Sequence, residues 1–489
     1  MAAPLKAPGS NGIATDDDLV QAFLRSLAAV GDGYWRTQVA MRAAVPVTRL
    51  GGEDVGRALL PHVAYPEPWH AELLAGVAWG LALRGEPEAA RRVLRDLAPL
   101  AKKNRGEQGT RTECVVACAH HHLGDLAACD EAFARAERFA RGEKENPTQP
   151  WPILALARAR CGRLDALLAQ IGPVAKQERL SFDDERAATL AVTQVTAAGD
   201  RAAFGRWCAA LREENSYIVF QGLVDGAPAA LAADHGDALT DLAVDFAADG
   251  SYGADAGVRV VRAMMAAGQI ARARRTLSAV QAAHPHPRAV VANAWEDLDD
   301  LAARDAVRAL AVDGRGEHPP LELLQLEEVV RAVHGRDPAA GAALLGRCAV
   351  RAQAETGCTA AHAWASLCDA ALAVQDPRAE AWIAAALTAF DAAPRGDYNR
   401  RAIVELFVRQ LADRGRWEPA LALLRKSTSK YEKHAMAQAV ARAWLRAGDL
   451  AGALRVLDMG KYDALHLAMR QCDLLHARVG LTRPFDNVA

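Results

Sequence analysis

Cys114, Cys118 and His121 stand at spacings of four and three, with His120 and His122 beside them. On a helix that spacing gathers the three on one face. Thiolate and imidazole are zinc ligands, and a water or a fourth side chain would complete the tetrahedron. The competing reading is that cysteine serves as a small core residue in an alanine-rich helix. That reading is preferred, so no metal or other cofactor is expected. A second cluster, Glu296, Asp297, Asp299 and Asp300, has the composition of a magnesium site. Its members face around a helix and no second acidic cluster answers them, which fits a solvated helix end. The most basic stretch, Arg425, Lys426, Lys430 and Lys433 with Tyr431, suits an acidic partner but is short. No GxGxxG, P-loop, HExxH or GxSxG motif accompanies these residues, and no enzymatic activity is expected.

The elements that carry these residues are helices. The chain has 489 residues, 51% of them hydrophobic and only 6% aromatic. Alanine is abundant, and it is the strongest helix former. The formal net charge of −2 gives no reason to expect a nucleic-acid or membrane partner. Nine cysteines without regular close pairs read as reduced thiols in a cytoplasmic protein. No run of apolar residues approaches the length of a membrane span, and residues 1–14 have no apolar segment of the secretory kind.

Glycine punctuates the chain. Gly85, Gly124, Gly162, Gly199, Gly268, Gly335, Gly415 and Gly448 are each followed, five and nine positions on, by a small or apolar residue. Weaker copies fall at Gly236, near Ala302 and at Gln375. The mean step is about 36 residues, the length of a pair of four-turn helices with two short turns. Each glycine is expected to end a first helix in the left-handed conformation. Asp125, Asp200, Asp237 and Asp449 follow glycines and are expected to cap the second helix. Thr15 and Asp18 predict a capping box at the start of order. His284-Pro285-His286-Pro287 and Asp313–Pro320 read as turns or linkers, and 215–226 as an irregular stretch where the array bends. Trp79, Trp364, Trp382 and Trp444 are expected in the core.

The expected class is all-α, a superhelical α-solenoid of about eleven antiparallel helix hairpins. Residues 1–14 are expected to be disordered, 15–67 to form an N-terminal helical cap and 68–460 the array. Residues 461–489 are expected to form a capping helix without a partner and a tail.

The pattern resembles the tetratricopeptide repeat. The residues that carry the resemblance are Val404, Phe407, Val408, Leu411, Gly415, Ala420 and Leu424, then Ala437, Val440, Ala441, Trp444, Gly448, Ala453 and Leu457. A third copy is Val260, Val261, Met264, Gly268, Ala273 and Leu277. The resemblance implies a right-handed superhelix whose first helices line a concave groove for a peptide or partner helix. It also implies that positions six and ten before the glycine face that groove. These are Arg442 and Gln438, Arg409 and Glu405, and Arg262. Three arginines at one repeat position would grip a carboxylate or an acidic peptide. The competing reading is that arginine is the default solvated residue in a chain with nine lysines among 58 basic residues.

Three functions follow. The first is a non-catalytic scaffold or adaptor that holds a partner protein or peptide, acidic or with a free carboxylate. The alternative is a ligand-sensing regulator or all-α enzyme whose array closes on itself. RNA binding by helical repeats comes third, because the charge balance opposes it.

Overall fold

A computed structural model describes residues 15–64, 66–101, 104–143, 150–176, 179–211, 215–248, 252–283, 294, 326–394, 398–427, 430–460 and 462–481. The regular structure of these residues is helical, with no β-strand among them. Residues 1–14, the His284–Pro287 turn, the Glu296–Asp300 cluster, the copy near Ala302 and the Asp313–Pro320 linker lie outside the described residues.

In chain order the helices begin with α1 (Asp16–Ala28), α2 (Gly33–Gly51), α3 (Glu53–Arg57), α4 (Pro66–Arg84), α5 (Pro87–Ala101), α6 (Gly106–His122), α7 (Leu126–Gly142) and α8 (Pro150–Arg160). They continue with α9 (Leu164–Ala175), α10 (Phe182–Ala198), α11 (Arg201–Ala210), α12 (Ser216–Ala232), α13 (Gly236–Ala247), α14 (Gly253–Ala266) and α15 (Ile270–Ala283). Then come α16 (Leu326–Arg336), α17 (Pro338–Ala354), α18 (Gly357–Ala373) and α19 (Ala379–Ala392). The last are α20 (Tyr398–Asp413), α21 (Trp417–Lys426), α22 (Lys430–Arg446), α23 (Leu450–Met459) and α24 (Ala464–Arg478). They form two compact units, one of Met1–Cys161 with Val404–Ala489, the other of Gly162–Ile403.

Local chemistry sets the helix ends. Thr15 and Asp18 form the reciprocal capping box that their spacing predicts. Seven of the eight punctuating glycines hold a positive φ, from Gly162 at 64° to Gly85 at 84°, where a side chain would strain the backbone. Gly335 does not. It lies inside α16, and the turn is made instead by Asp337, which accepts from the Ala339 and Ala340 amides at 2.9 and 3.1 Å while Pro338 opens the next helix. At the weak copies the left-handed residues are Asp234, two positions before Gly236, and Gln375 itself. Of the four expected caps, Asp200 and Asp449 accept from the Ala203 and Gly452 amides at 2.9 and 2.7 Å. Asp125 and Asp237 do not cap. They accept instead from Arg91 and Arg272 of neighbouring hairpins.

The stretch 215–226 is not irregular. Ser216–Ala232 is a regular helix, and its β-branched, aromatic and glycine residues serve packing. A Cβ on Gly222 would come within 2.5 Å of the Val192 Cβ, and one on Gly226 within 2.6 Å of the Thr196 Cβ. The glycines let α12 press against α10 more closely than any side chain would allow.

Within each unit the first helices of successive hairpins lie side by side and the second helices cover them. In the first unit α2, α4, α6 and α8 neighbour one another in turn, with α5 and α7 behind. In the second unit α10, α12 and α14 make the same kind of layer, with α11, α13 and α15 behind. Trp79, Trp364, Trp382 and Trp444 are buried as expected.

The terminal helices differ from expectation. α24 has partners: it packs on α1 and α2 as well as on α22 and α23. Leu19, Phe23 and Leu27 on α1 and Ala468, Leu474 and Leu475 on α24 are all fully buried. Two helices with one apolar face each, from opposite ends of the chain, cover each other. The sequence treated them as two separate caps because nothing local couples residues so far apart.

Candidate functional site

Several first helices of the Met1–Cys161/Val404–Ala489 unit, among them α4, α6, α8 and α24, carry buried charge. On α24 the buried Asp473 accepts from Gln438 Nε2 of α22 at 2.7 Å and from Arg470 at 3.2 Å, with Arg442 3.9 Å away. On α4 the buried Glu72 accepts from Gln108 at 2.7 Å and from Arg111 Nε at 3.4 Å, both on α6. Arg111 also reaches Glu107 at 3.4 Å. Burial opposes the Arg111 charge, but Glu72 and Glu107 outweigh it, and the pKa rises. Farther along, Glu113 accepts from Arg135 at 3.0 Å, and Arg158 donates to Glu137 at 3.1 Å.

Between α2, α4 and α6, Glu72 and Arg111 line a small cleft of about 30 Å³ that is partly open to solvent. Met41, Val45 and Val115 give it apolar walls, and Gly76 keeps one wall bare. Gln38, Arg42, Glu72, Arg111 and Trp79 also line it. Trp79 is 3% exposed, yet its Nε1–H has no hydrogen-bond partner among the described residues.

The groove positions taken from the repeat register scatter. Glu405 and Arg409 on α20 are exposed. Gln438 and Arg442 both turn to Asp473, so they help tie α22 to α24. Arg262 is 5% exposed and already has partners within the fold, and it belongs to the other unit. It therefore does not stand in an exposed row with Arg409 and Arg442. The same register rule falls on Arg42, ten before Gly52, and on Trp79, six before Gly85. Both line the cleft. The rule was applied only where the repeat motif was sharpest and so missed them.

Much of the arginine is structural. Arg91 joins Asp125, Arg201 joins Asp241 and Asp245, Arg206 joins Asp165, and Arg272 joins Asp237. Each bond spans roughly one hairpin step, mostly between second helices, and each is solvated, so its net contribution is small.

Cys114 and Cys118 are fully buried, and Cys118 Sγ lies 3.7 Å from Cys161 Sγ. Burial pushes the Cys114 thiol up, away from the thiolate a metal needs. His121 packs edge-on against His122, whose Nδ1 is 2.9 Å from the Cys118 carbonyl. Among the described residues no group of three His, Cys, Asp or Glu side chains is placed to hold a metal ion. Of the basic run, the side chains of Lys430 and Tyr431 lie outside what is described, and Arg425 approaches Glu418 at 4.0 Å.

Sequence reasoning took up Tyr431 with the basic run but passed over the other tyrosines. Tyr34, Tyr217, Tyr398 and Tyr431 are the first or second residue of a first helix, Tyr252 caps one, and Tyr462 stands just before α24. In the Gly162–Ile403 unit Phe182, Tyr217 and Tyr252 recur every 35 residues and remain exposed, Phe182 to 76%. Tyr217 and Tyr252 are in edge contact at 6.4 Å with Phe220 beneath them, and Arg259 lies over the Phe220 ring at 5.1 Å. The signal was position relative to the helix start, which a count of aromatics does not reveal.

No family model matches the chain, and no curated protein matches it. Among solved structures, one described as a circular tandem repeat protein with novel repeat topology and enhanced subunit contact surfaces aligns over 92% of this chain and 97% of its own. The identity is 15% and the TM-score 0.22. A likeness that low carries no argument, and the all-α class rests on the helices themselves. No described helix is long and apolar enough to cross a membrane.

Proposed function

We propose that this chain is a non-catalytic scaffold of tetratricopeptide-like hairpins that holds a partner protein or peptide on its first-helix layer. The observation that carries the reading is the row of exposed aromatics at helix starts, Phe182, Tyr217 and Tyr252. Tyrosine gives contact area with little loss of rotamer freedom and is enriched at interfaces. Exposed Arg409 supports a partner that is acidic or has a free carboxylate.

The test is quantitative mass spectrometry of what co-purifies with the full chain and with two double variants. Tyr217→Ser with Tyr252→Ser removes the aromatic edge. Arg409→Glu with Arg442→Gln reverses the exposed charge and spares buried Asp473 a new like charge. A specific partner falls at least roughly tenfold with the first pair, the size of a lost hot spot, and helicity by circular dichroism stays unchanged. Equal recovery with all three proteins contradicts the proposal.

A further inference from the structure

We infer that the rim formed by the starts of α12 and α14 is a docking site for an extended acidic peptide. One carboxylate of the peptide meets Arg259, and a proline or aromatic ring packs on Tyr217 and Tyr252. The inference rests on the scaffold reading and names the chemistry of its partner. Phe220 ties the site together. Its ring lies 6.4 Å from that of Tyr217, at an interplanar angle of 28°, and 5.7 Å from that of Tyr252. The Arg259 guanidinium carbon lies over the same ring at 5.1 Å. Phe220 is 9% exposed, whereas Tyr217 and Tyr252 are 46% and 40% exposed. A buried ring thus supports two exposed ones, and those two offer a surface to a third.

Arg259 supplies the charge. Arg91, Arg201, Arg206 and Arg272 each meet a carboxylate about one hairpin away. Half-buried Arg259 meets none among the described residues, and its buried Nε has no hydrogen-bond partner there. Asp255, one turn earlier on α14, has another partner. The ring face alone meets this cation, so an incoming carboxylate gains a charge-assisted bond that the fold does not already make. One cation balances one carboxylate and would leave the second charge of a phosphate unmet.

The spacing sets the form of the peptide. Tyr252 caps α14 and Arg259 stands seven residues on. That is two turns along one face, about 10 Å. Three extended residues cover the same distance. The carboxylate therefore stands about three residues from the ring that packs on the tyrosines.

The experiment is selection of a random heptapeptide display library on the immobilised full chain. The strongest clone is then made as a labelled peptide and titrated by fluorescence anisotropy. Selected peptides should place Asp or Glu two to four positions from Pro, Phe, Tyr or Trp. Changing that acid to its amide should weaken binding at least roughly tenfold, the size of one lost charge-assisted bond. Arg259→Gln should do the same, Arg259→Lys should retain part of the affinity, and Tyr217→Ser with Tyr252→Ser should weaken it comparably. The change on the peptide leaves the protein intact, so a folding defect in a variant cannot imitate the result. No enrichment over the bare support overturns the inference. So does a consensus without the acid and ring, or full affinity after either partner of the charge pair is neutralised. In the co-purification test, a partner lost with the tyrosine pair but kept with Arg259→Gln would reject the acidic contact and leave the scaffold reading standing.

Discussion

Arg478 on the last described helix donates from Nε to Asp16 Oδ1, on the first, at 2.7 Å, joining residues 462 positions apart. The bond itself is solvated at both partners and contributes about 0–1 kcal/mol. It marks the place where the apolar faces of α1 and α24 meet.

Removing the bond and removing the packing should therefore differ. Arg478→Ala should change urea-unfolding stability by less than about 1 kcal/mol. Phe23→Ala, at a fully buried site on α1, should cost about 3–5 kcal/mol. Deleting residues 461–489 should expose the α1 face and raise binding of a hydrophobic dye. An N-terminus that tolerates loss of α24 would show that the two ends do not support each other.

The glycines give predictions of opposite sign. Gly222→Ala places its Cβ 2.5 Å from the Val192 Cβ and should destabilise by about 1–3 kcal/mol. Gly205→Ala, on α11 with nothing within 4 Å, should stabilise by about 0.4–1 kcal/mol. Gln375→Gly should also stabilise, by about 1 kcal/mol, because Gln375 holds φ 56°. Thermal melts of the three variants check all three signs.

The hairpin turns were legible because each is local. At many of the hairpin turns a left-handed residue follows the first helix, and glycine announces it at Gly85 or Gly448. Where Asp234 takes that conformation, two positions before Gly236, the glycine misplaces the turn and the register slips. Gly222 and Gly226 misled for the same reason: a glycine that ends a helix and a glycine that lets two helices touch look alike in sequence. The cleft depended on three helices meeting, so Glu72, Arg111 and Trp79 gave no local sign of it. Trp79 and Arg42 fall on groove positions of the register, but Cys114 and Cys118, at the groove positions of the repeat that carries Arg111, drew the reading toward metal instead.

Asp376 should govern part of the acid stability. Its side chain accepts from Arg378 Nε at 2.8 Å and NH2 at 2.7 Å, and these bonds hold its pKa below the ordinary carboxylate value against the opposing effect of burial. A depressed folded pKa means the stabilisation is present in full above the unfolded value, about 3.9, and is lost as pH falls through the folded value. Asp376→Asn should lower stability at neutral pH, and its difference from the native chain should shrink below about pH 4. Urea denaturation at pH 7 and pH 3 measures the difference; a constant gap would rule out the linkage.

The thiols should sort by burial. Cys208, Cys348 and Cys358 are half-buried, whereas Cys114, Cys118, Cys129, Cys161, Cys368 and Cys472 are buried. Burial raises the Cys114 and Cys368 thiols, which suppresses the reactive thiolate. Under native conditions a disulfide-exchange reagent should label only the half-buried three quickly. Rapid labelling of Cys118 or Cys161, located by peptide mapping, would show that the α6–α8 region opens.

The most direct measurement of the scaffold reading is site-specific photo-crosslinking in the cells that express the full chain. A benzophenone amino acid is placed in turn at Tyr217, at Arg409 and, as a control, at exposed Arg95 on second helix α5. The account predicts one discrete adduct, shared by independent preparations, from Tyr217 or Arg409 and none from Arg95. Adducts of equal yield at all three positions, or none at Tyr217 and Arg409, would contradict it.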